Sequence, residues 1–212
     1  MPTTKQPNNI DPKKPVVALT FDDGPSIHTT RILDTLQKYE ARATFFVMGK
    51  KVTENKGKIL RVQHMECEIV CHAWDHTDLT TLSGRAIKKQ LFDTIAAIAT
   101  VTGTASLIYR PPYGNINKKV KKVSRNLGLA MVNWSLNAKD METKDADAIY
   151  NNIESNLKNE DIILCHDILE PTAEAMTRII PDLVEQGCQL VTVTELLHHK
   201  YGEIKPGKLY LN

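Results

Sequence analysis

The run Val16-Val17-Ala18-Leu19-Thr20-Phe21 passes without a break into Asp22-Asp23-Gly24-Pro25. A short apolar run of this kind, ended by a Gly-Pro turn, reads as a β-strand that delivers two adjacent carboxylates at its C-terminal end. Six further short runs read the same way, at residues 43–47, 68–70, 107–109, 130–133, 162–165 and 190–193. Between them, residues 29–39, 83–100, 118–127, 144–157 and 171–186 carry apolar side chains at helical spacing, with Ser83 as a start signal and Gly187 as a stop signal. Seven strands alternating with helices predict an α/β domain built on a parallel sheet. Periodicity does not decide whether that sheet is open or closed into a barrel.

The remainder of the chain sets limits on function. Its 212 residues, 42% of them apolar, suffice for one sizeable core, and one domain is expected. Residues 1–14 read as a flexible entry, 15–200 as the folded domain and 201–212 as a surface tail. The charges nearly cancel, 27 Lys and Arg against 25 Asp and Glu, so neither nucleic acid nor an anionic membrane is indicated as a partner. No stretch reads as a transmembrane segment, and residues 1–14 lack the apolar run of a secretory signal. The protein is expected either to stay inside the cell or to begin after a removed leader. A monomer is the default expectation. Cys67, Cys71, Cys165 and Cys188 form no dense framework and are expected to be free, mostly buried thiols.

Parallel α/β folds place their sites just past the C-terminal ends of the strands, and five polar clusters fall there. In the first, Asp22 and Asp23 repel one another, so a metal or other cation is needed to hold both ionised. The alternative is an acidic turn with a helix cap. The second is His72-Ala73-Trp74-Asp75-His76. On a helical turn this four-residue spacing puts both imidazoles on one side, although incidental surface histidines also fit. Joined to Asp23, the pair supplies two nitrogens and one oxygen, the composition of a catalytic zinc site. The third, Tyr109-Arg110-Pro111-Pro112-Tyr113-Gly114, places a guanidinium where it can pair with Asp22, or is a structural loop with a surface Arg. The fourth runs from Asn133-Trp134 to Asp140-Met141, and the fifth is Ile163-Leu164-Cys165-His166-Asp167. A His at a strand end with a carboxylate in reach has the make-up of a general acid and its orienting partner, or is a satisfied core His.

The five clusters in this order resemble the motifs of the polysaccharide deacetylase family, also called the NodB homology domain or carbohydrate esterase family 4. The resemblance covers residues 16–197. It implies a distorted barrel of about seven parallel strands with surrounding helices, and a metal-dependent hydrolase that removes acetyl groups from a carbohydrate polymer. N-acetylglucosamine residues in peptidoglycan or a chitin-like glycan are the expected substrate. An acetylxylan esterase of the same family and a glycan-binding module that has lost catalysis are the rival readings. The resemblance further implies a secreted or cell-envelope location.

Residue by residue, the resemblance gives Asp22 as catalytic base, braced by Arg110, and Asp23, His72 and His76 as ligands of one divalent ion. Zinc is the expected ion, with cobalt, nickel and manganese as alternatives. His166 becomes the general acid with Asp140 as its partner, and the backbone N–H of Tyr113 part of the oxyanion hole. Leu164, Pro112, Tyr113, Trp134 and Met141 are expected to line the substrate groove. Three positions depart from the family pattern. Ala73 stands where a Ser or Thr hydroxyl steadies the loop, Met141 where an aromatic residue forms a wall of the groove, and Cys71 where Asn is usual.

Overall fold

The computed structural model describes residues 10–211. The expectation of a flexible entry falls mainly on residues 1–9, outside the described residues. The strands are β1 (Val16–Asp22), β2 (Thr44–Val47), β3 (Glu68–Cys71), β4 (Ile108–Tyr109), β5 (Ala130–Val132), β6 (Leu136–Asn137), β7 (Ile162–His166), β8 (Gln189–Leu190) and β9 (Leu209–Tyr210). The helices are α1 (Thr29–Lys38), α2 (Gly49–Val52), α3 (Lys56–His64), α4 (Gly84–Thr102), α5 (Lys118–Asn126), α6 (Asp140–Thr143), α7 (Ala146–Asn156), α8 (Glu170–Glu185) and α9 (Val193–Tyr201). Every strand pairing is parallel, in the order β6-β7-β1-β2-β3-β4-β5-β9, with β8 against the start of β1. The hydrogen-bonded path ends at β6 and β9, so the sheet curls into a half-barrel, a distorted barrel left open along one side. Among the described residues no helix is long and apolar enough to cross a membrane.

Alternation along the strands sorts the core into two layers and prepares the site. Val17, Leu19 and Phe21 of β1 face outward into the cluster that includes Phe45, Ile163 and the apolar faces of α1, α3, α7 and α8. Val16 and Ala18 face inward with Phe46, Val70, Ile108, Ala130, Val132 and Ile162. Because side chains alternate with period two, Thr20 and Asp22 must also face inward, and so must His72, Arg110 and His166, each two residues or a multiple of two beyond an inward apolar residue. Asp22, His72, Arg110 and His166 therefore project into one end of the barrel, with Thr20 one inward position before Asp22. At the other end, α9 packs Val193, Leu196 and Leu197 onto the inner cluster. Its N-terminus is fixed by a Thr192–Glu195 capping box, and the amide of Val193 donates to the Thr44 hydroxyl.

Several expectations need correction. Among the described residues there are nine strands, two more than the seven runs read from the sequence, because β6 and β9 have two residues each, too few to leave a periodic signal. The surface tail expected at residues 201–212 contains β9, which pairs with β5 and buries Tyr210. The strand expected at 190–193 stops at Leu190, since Thr192 starts α9. The single helix expected over 144–157 begins as α7 at Ala146. A separate α6 precedes it, and left-handed Lys144 (φ 52°) and the Asp145 cap divide the two. Helices α2, α3 and α9 were not anticipated. Ser83 caps α4, and Gly187 (φ 78°) follows the end of α8, as expected. All four cysteines are free and buried. Burial raises their thiols, Cys67 and Cys188 to about 11 and Cys71 to about 12, which leaves them unreactive near neutral pH.

Candidate active site

Asp22 and Asp23 reach the same cleft by different means. Asp22, the last residue of β1, points inward by strand parity and is almost completely buried. Continued extension would send Asp23 to the opposite face. Instead Asp23 adopts a left-handed conformation (φ 71°), which swings its carboxylate back beside that of Asp22. Ala73 (φ 60°), His76 (φ 67°) and Tyr113 (φ 59°) are left-handed as well. Such conformations cost a non-glycine residue about 1 kcal/mol or more, so the surrounding structure must impose them.

Arg110 lies under the two aspartates with no exposure to solvent. Its Nη1 donates to Asp22 Oδ1 at 2.7 Å and to Thr20 Oγ1 at 2.8 Å, and its Nη2 donates to the carbonyl of Asn133 at 2.9 Å. The guanidinium also stacks over Phe46, with its carbon 4.0 Å from the ring centre. Its geometry is thus overdetermined, and one Asp22 oxygen is fixed by a charged hydrogen bond.

His72 Nδ1 lies 2.8 Å from the Arg110 carbonyl. A carbonyl only accepts, so Nδ1 carries the proton and Nε2 turns its lone pair to the cleft. There it stands 3.5 Å from Asp23 Oδ1, while His76 Nε2 stands 3.3 Å from the same oxygen. The histidines do not share a helical turn, as the spacing had suggested. Residues 72–76 form an irregular loop, and the left-handed Ala73 and His76 bring the rings to 5.0 Å between centres. The hydroxyl missing at Ala73 is replaced by other anchors. The Ala73 carbonyl accepts from the Gly49 amide, the Trp74 carbonyl accepts from the Lys50 amide, and the Trp74 amide donates to Gln90 Oε1 at 2.8 Å.

One ligand atom each from Asp23, His72 and His76 lies within 4.8 Å of the others, and a divalent cation fits this donor set. Asp23 Oδ1 is buried and has no hydrogen-bond partner, an expensive state for a carboxylate unless a cation completes it. Two donors about 2.0–2.1 Å from one tetrahedral ion stand about 3.3 Å apart, close to the separations seen. Burial pulls the His76 pKa below the ordinary imidazole value, with Asp23 opposing, which favours the neutral, ligating ring.

On the neighbouring strand, His166 ends β7 in register with Asp22. Its Nδ1 lies 2.9 Å from Oδ1 of Asp140, which is fully buried at the start of α6. Asp140 Oδ2 accepts from the His166 amide at 2.7 Å and from the Thr172 hydroxyl at 2.8 Å. Burial lowers the His166 pKa, but the hydrogen bond and charge of Asp140, helped by Asp22 and Asp23, outweigh it and leave the pKa raised. Leu164 faces the same interior one inward position earlier and is almost buried.

The rim is apolar. Tyr113 is exposed, with its ring edge-on to His76 at 4.5 Å, and Met141 is exposed beside Asp140. Pro112 is buried, and Trp134 is half-buried against the inner core, 5.7 Å from the Arg110 guanidinium and close over Gly114. Sequence reasoning missed Thr20, Thr172 and the Asn133 carbonyl. Thr20 shares the inward parity of Asp22 and was in principle legible; Thr172 and the carbonyl carry no sequence signal.

The family model described as polysaccharide deacetylase matches residues 9–132. The peptidoglycan-N-acetylglucosamine deacetylase PgdA of Listeria monocytogenes is 35% identical over 92% of this chain, and the chain spans 41% of that relative's length. A peptidoglycan-N-acetylglucosamine deacetylase of Bacillus cereus is 33% identical, with 94% of each chain covered. A family 4 acetyl xylan esterase from Clostridium thermocellum, solved with a cobalt ion, superposes with a TM-score of 0.85 at 34% identity, covering 92% of this chain and 97% of its own.

Proposed function

This chain belongs to the polysaccharide deacetylase family, and on that premise we propose that it hydrolyses N-acetyl groups from N-acetylglucosamine residues of a glycan, peptidoglycan first among them. The observation that carries this reading is the division of labour between the paired carboxylates. Asp23 Oδ1 is left without a hydrogen-bond donor between two imidazoles, while Asp22 has one oxygen taken by Arg110 and turns only the other toward His72.

In this reading Asp23, His72 and His76 hold one divalent ion, zinc by their composition, with cobalt, nickel or manganese also compatible. When bound, the ion supplies Lewis acidity toward the acetyl carbonyl and the attacking water. Asp22 is the general base. Arg110 occupies one of its oxygens, and the other, 3.6 Å from His72 Nε2, takes the proton of the water. The Tyr113 backbone N–H is the oxyanion donor. His166 is the general acid, because Asp140 fixes its Nδ1 proton and so leaves Nε2 to protonate the departing sugar nitrogen. Leu164 bounds the acetyl methyl, and Pro112, Tyr113, Trp134 and Met141 form the groove for the sugar chain. A peptidoglycan substrate lies outside the cytoplasmic membrane, so the site of action is the cell envelope or beyond. The similarity to an acetyl xylan esterase supports a second reading, O-deacetylation of xylan.

Acetate release from an N-acetylglucosamine oligomer and from acetylated xylan, before and after chelation, tests these readings together. The first predicts turnover of the oligomer that is abolished by chelation and restored by zinc. Full activity with metal absent by elemental analysis contradicts the metal assignment, and activity on xylan alone favours the esterase.

A further inference from the structure

Next to the proposed general acid stands a buried carboxyl to which the catalytic scheme gives no task. Asp167 follows His166 and is 1% exposed. Its Oδ2 accepts the Thr29 hydroxyl at 2.5 Å and its backbone carbonyl accepts the Ser26 hydroxyl at 2.5 Å, whereas its Oδ1 is buried and has no hydrogen-bond partner. Ser26 lies in the segment that links β1 to α1, and Thr29 is the first residue of α1. The same carboxyl also abuts Gly24, where a Cβ would fall 2.5 Å from the Asp167 carboxyl carbon and closer still to both oxygens. Gly24 is not among the residues with positive φ, so backbone conformation does not demand glycine there. The space taken by Asp167 does.

We propose that Asp167 is a positioning residue for the metal site, wedged against Gly24 so that the turn after β1 keeps Asp23 aimed at His72 and His76. The left-handed Asp23 is costly and must be imposed by its neighbours. On one side the Lys51 ammonium donates to the Asp23 carbonyl at 2.9 Å, and the Met48 amide donates to the Gly24 carbonyl at 3.2 Å. Asp167, with Ser26 and Thr29, closes the other. Removing the carboxyl opens a void against Gly24 and lets the turn relax. Burial raises the Asp167 pKa to about 7, consistent with a carboxyl that acts by shape and hydrogen bonding.

The inference rests on the proposed cation at Asp23, His72 and His76, and the test separates the two. Zinc affinity of the metal-free full chain is measured by titration calorimetry for wild type, Asp167→Asn, Asp167→Ala, Gly24→Ala and the double variant Asp167→Ala/Gly24→Ala. Asp167→Ala and Gly24→Ala are each expected to weaken zinc about tenfold or more, as loss of outer support does at metal sites. Asp167→Asn, which keeps the shape and accepts the Thr29 hydroxyl, should stay within about threefold of wild type, well short of that loss. The double variant should bind no more weakly than Asp167→Ala alone, because the missing carboxyl leaves room for the new methyl. Wild-type affinity in Asp167→Ala, equal losses in Asp167→Asn and Asp167→Ala, or additive losses in the double variant overturn the proposal. A wild type that binds no zinc overturns the metal site itself, and this inference with it. If Asp167→Ala fails to fold, Gly24→Ala and Thr29→Val decide: both bind zinc more weakly under the proposal, and wild-type affinity in both overturns it.

Discussion

Arg110 Nη1 lies 2.7 Å from Asp22 Oδ1, and the guanidinium that makes this contact has no exposed surface. Breaking a buried pair by removing one partner strands the other charge, at a cost of about 3–5 kcal/mol. Arg110→Met is therefore expected to lose stability of that order in urea unfolding of the metal-free protein. A loss of under about 1 kcal/mol, the range of an exposed pair, would show that Asp22 does not depend on Arg110.

The His166–Asp140 pair gives the activity a direction with pH. The folded-state pKa of His166 is raised, so the pair's contribution to stability is full below the ordinary imidazole pKa and is lost as pH rises through the raised one. A reaction that needs imidazolium fails over the same range. Asp140→Asn removes the charge that raises the pKa, and the alkaline limb of the kcat/KM profile should move to lower pH. An unmoved limb would mean that His166 does not set it.

Substrate chemistry makes His166→Ala a sharper probe. An amide nitrogen must be protonated to leave, whereas a sugar alkoxide leaves more readily. Loss of a general acid costs about a hundredfold or more, and this loss should fall on the N-acetylglucosamine oligomer more heavily than on an O-acetyl ester. Equal fractional losses on both substrates would remove His166 from the role of leaving-group acid.

Legibility in the sequence followed the length and parity of each element. β1 was plain because all seven of its residues are buried and five of them are apolar, and the same parity that buries Val16 and Ala18 aims Asp22 at the cleft. Two-residue strands such as β9 exist only through their partners, and nothing local marks Leu209–Tyr210 as paired with β5. The Thr192–Glu195 capping box does have a sequence signal, a Thr three residues before a Glu, but it overlaps the apolar run 190–193 that reads as a strand. His72 and His76 do lie close together, but not on the helical turn that their spacing suggests. Spacing four suggested a helix, and left-handed residues in an irregular loop do the work instead. The contact between Asp167 and Gly24 joins residues far apart in the chain, and only the register of β1 with β7 brings them together.

Asp22→Asn tests the central claim, that one carboxylate of the pair serves the metal and the other the proton. The amide is nearly isosteric with the carboxylate and still accepts from Arg110, but it does not take a proton from water. With zinc content and affinity equal to wild type, the variant should release acetate from an N-acetylglucosamine oligomer about a hundredfold or more slowly. Wild-type turnover at normal metal content would contradict the assignment of Asp22 as the base, and with it the division of roles between Asp22 and Asp23.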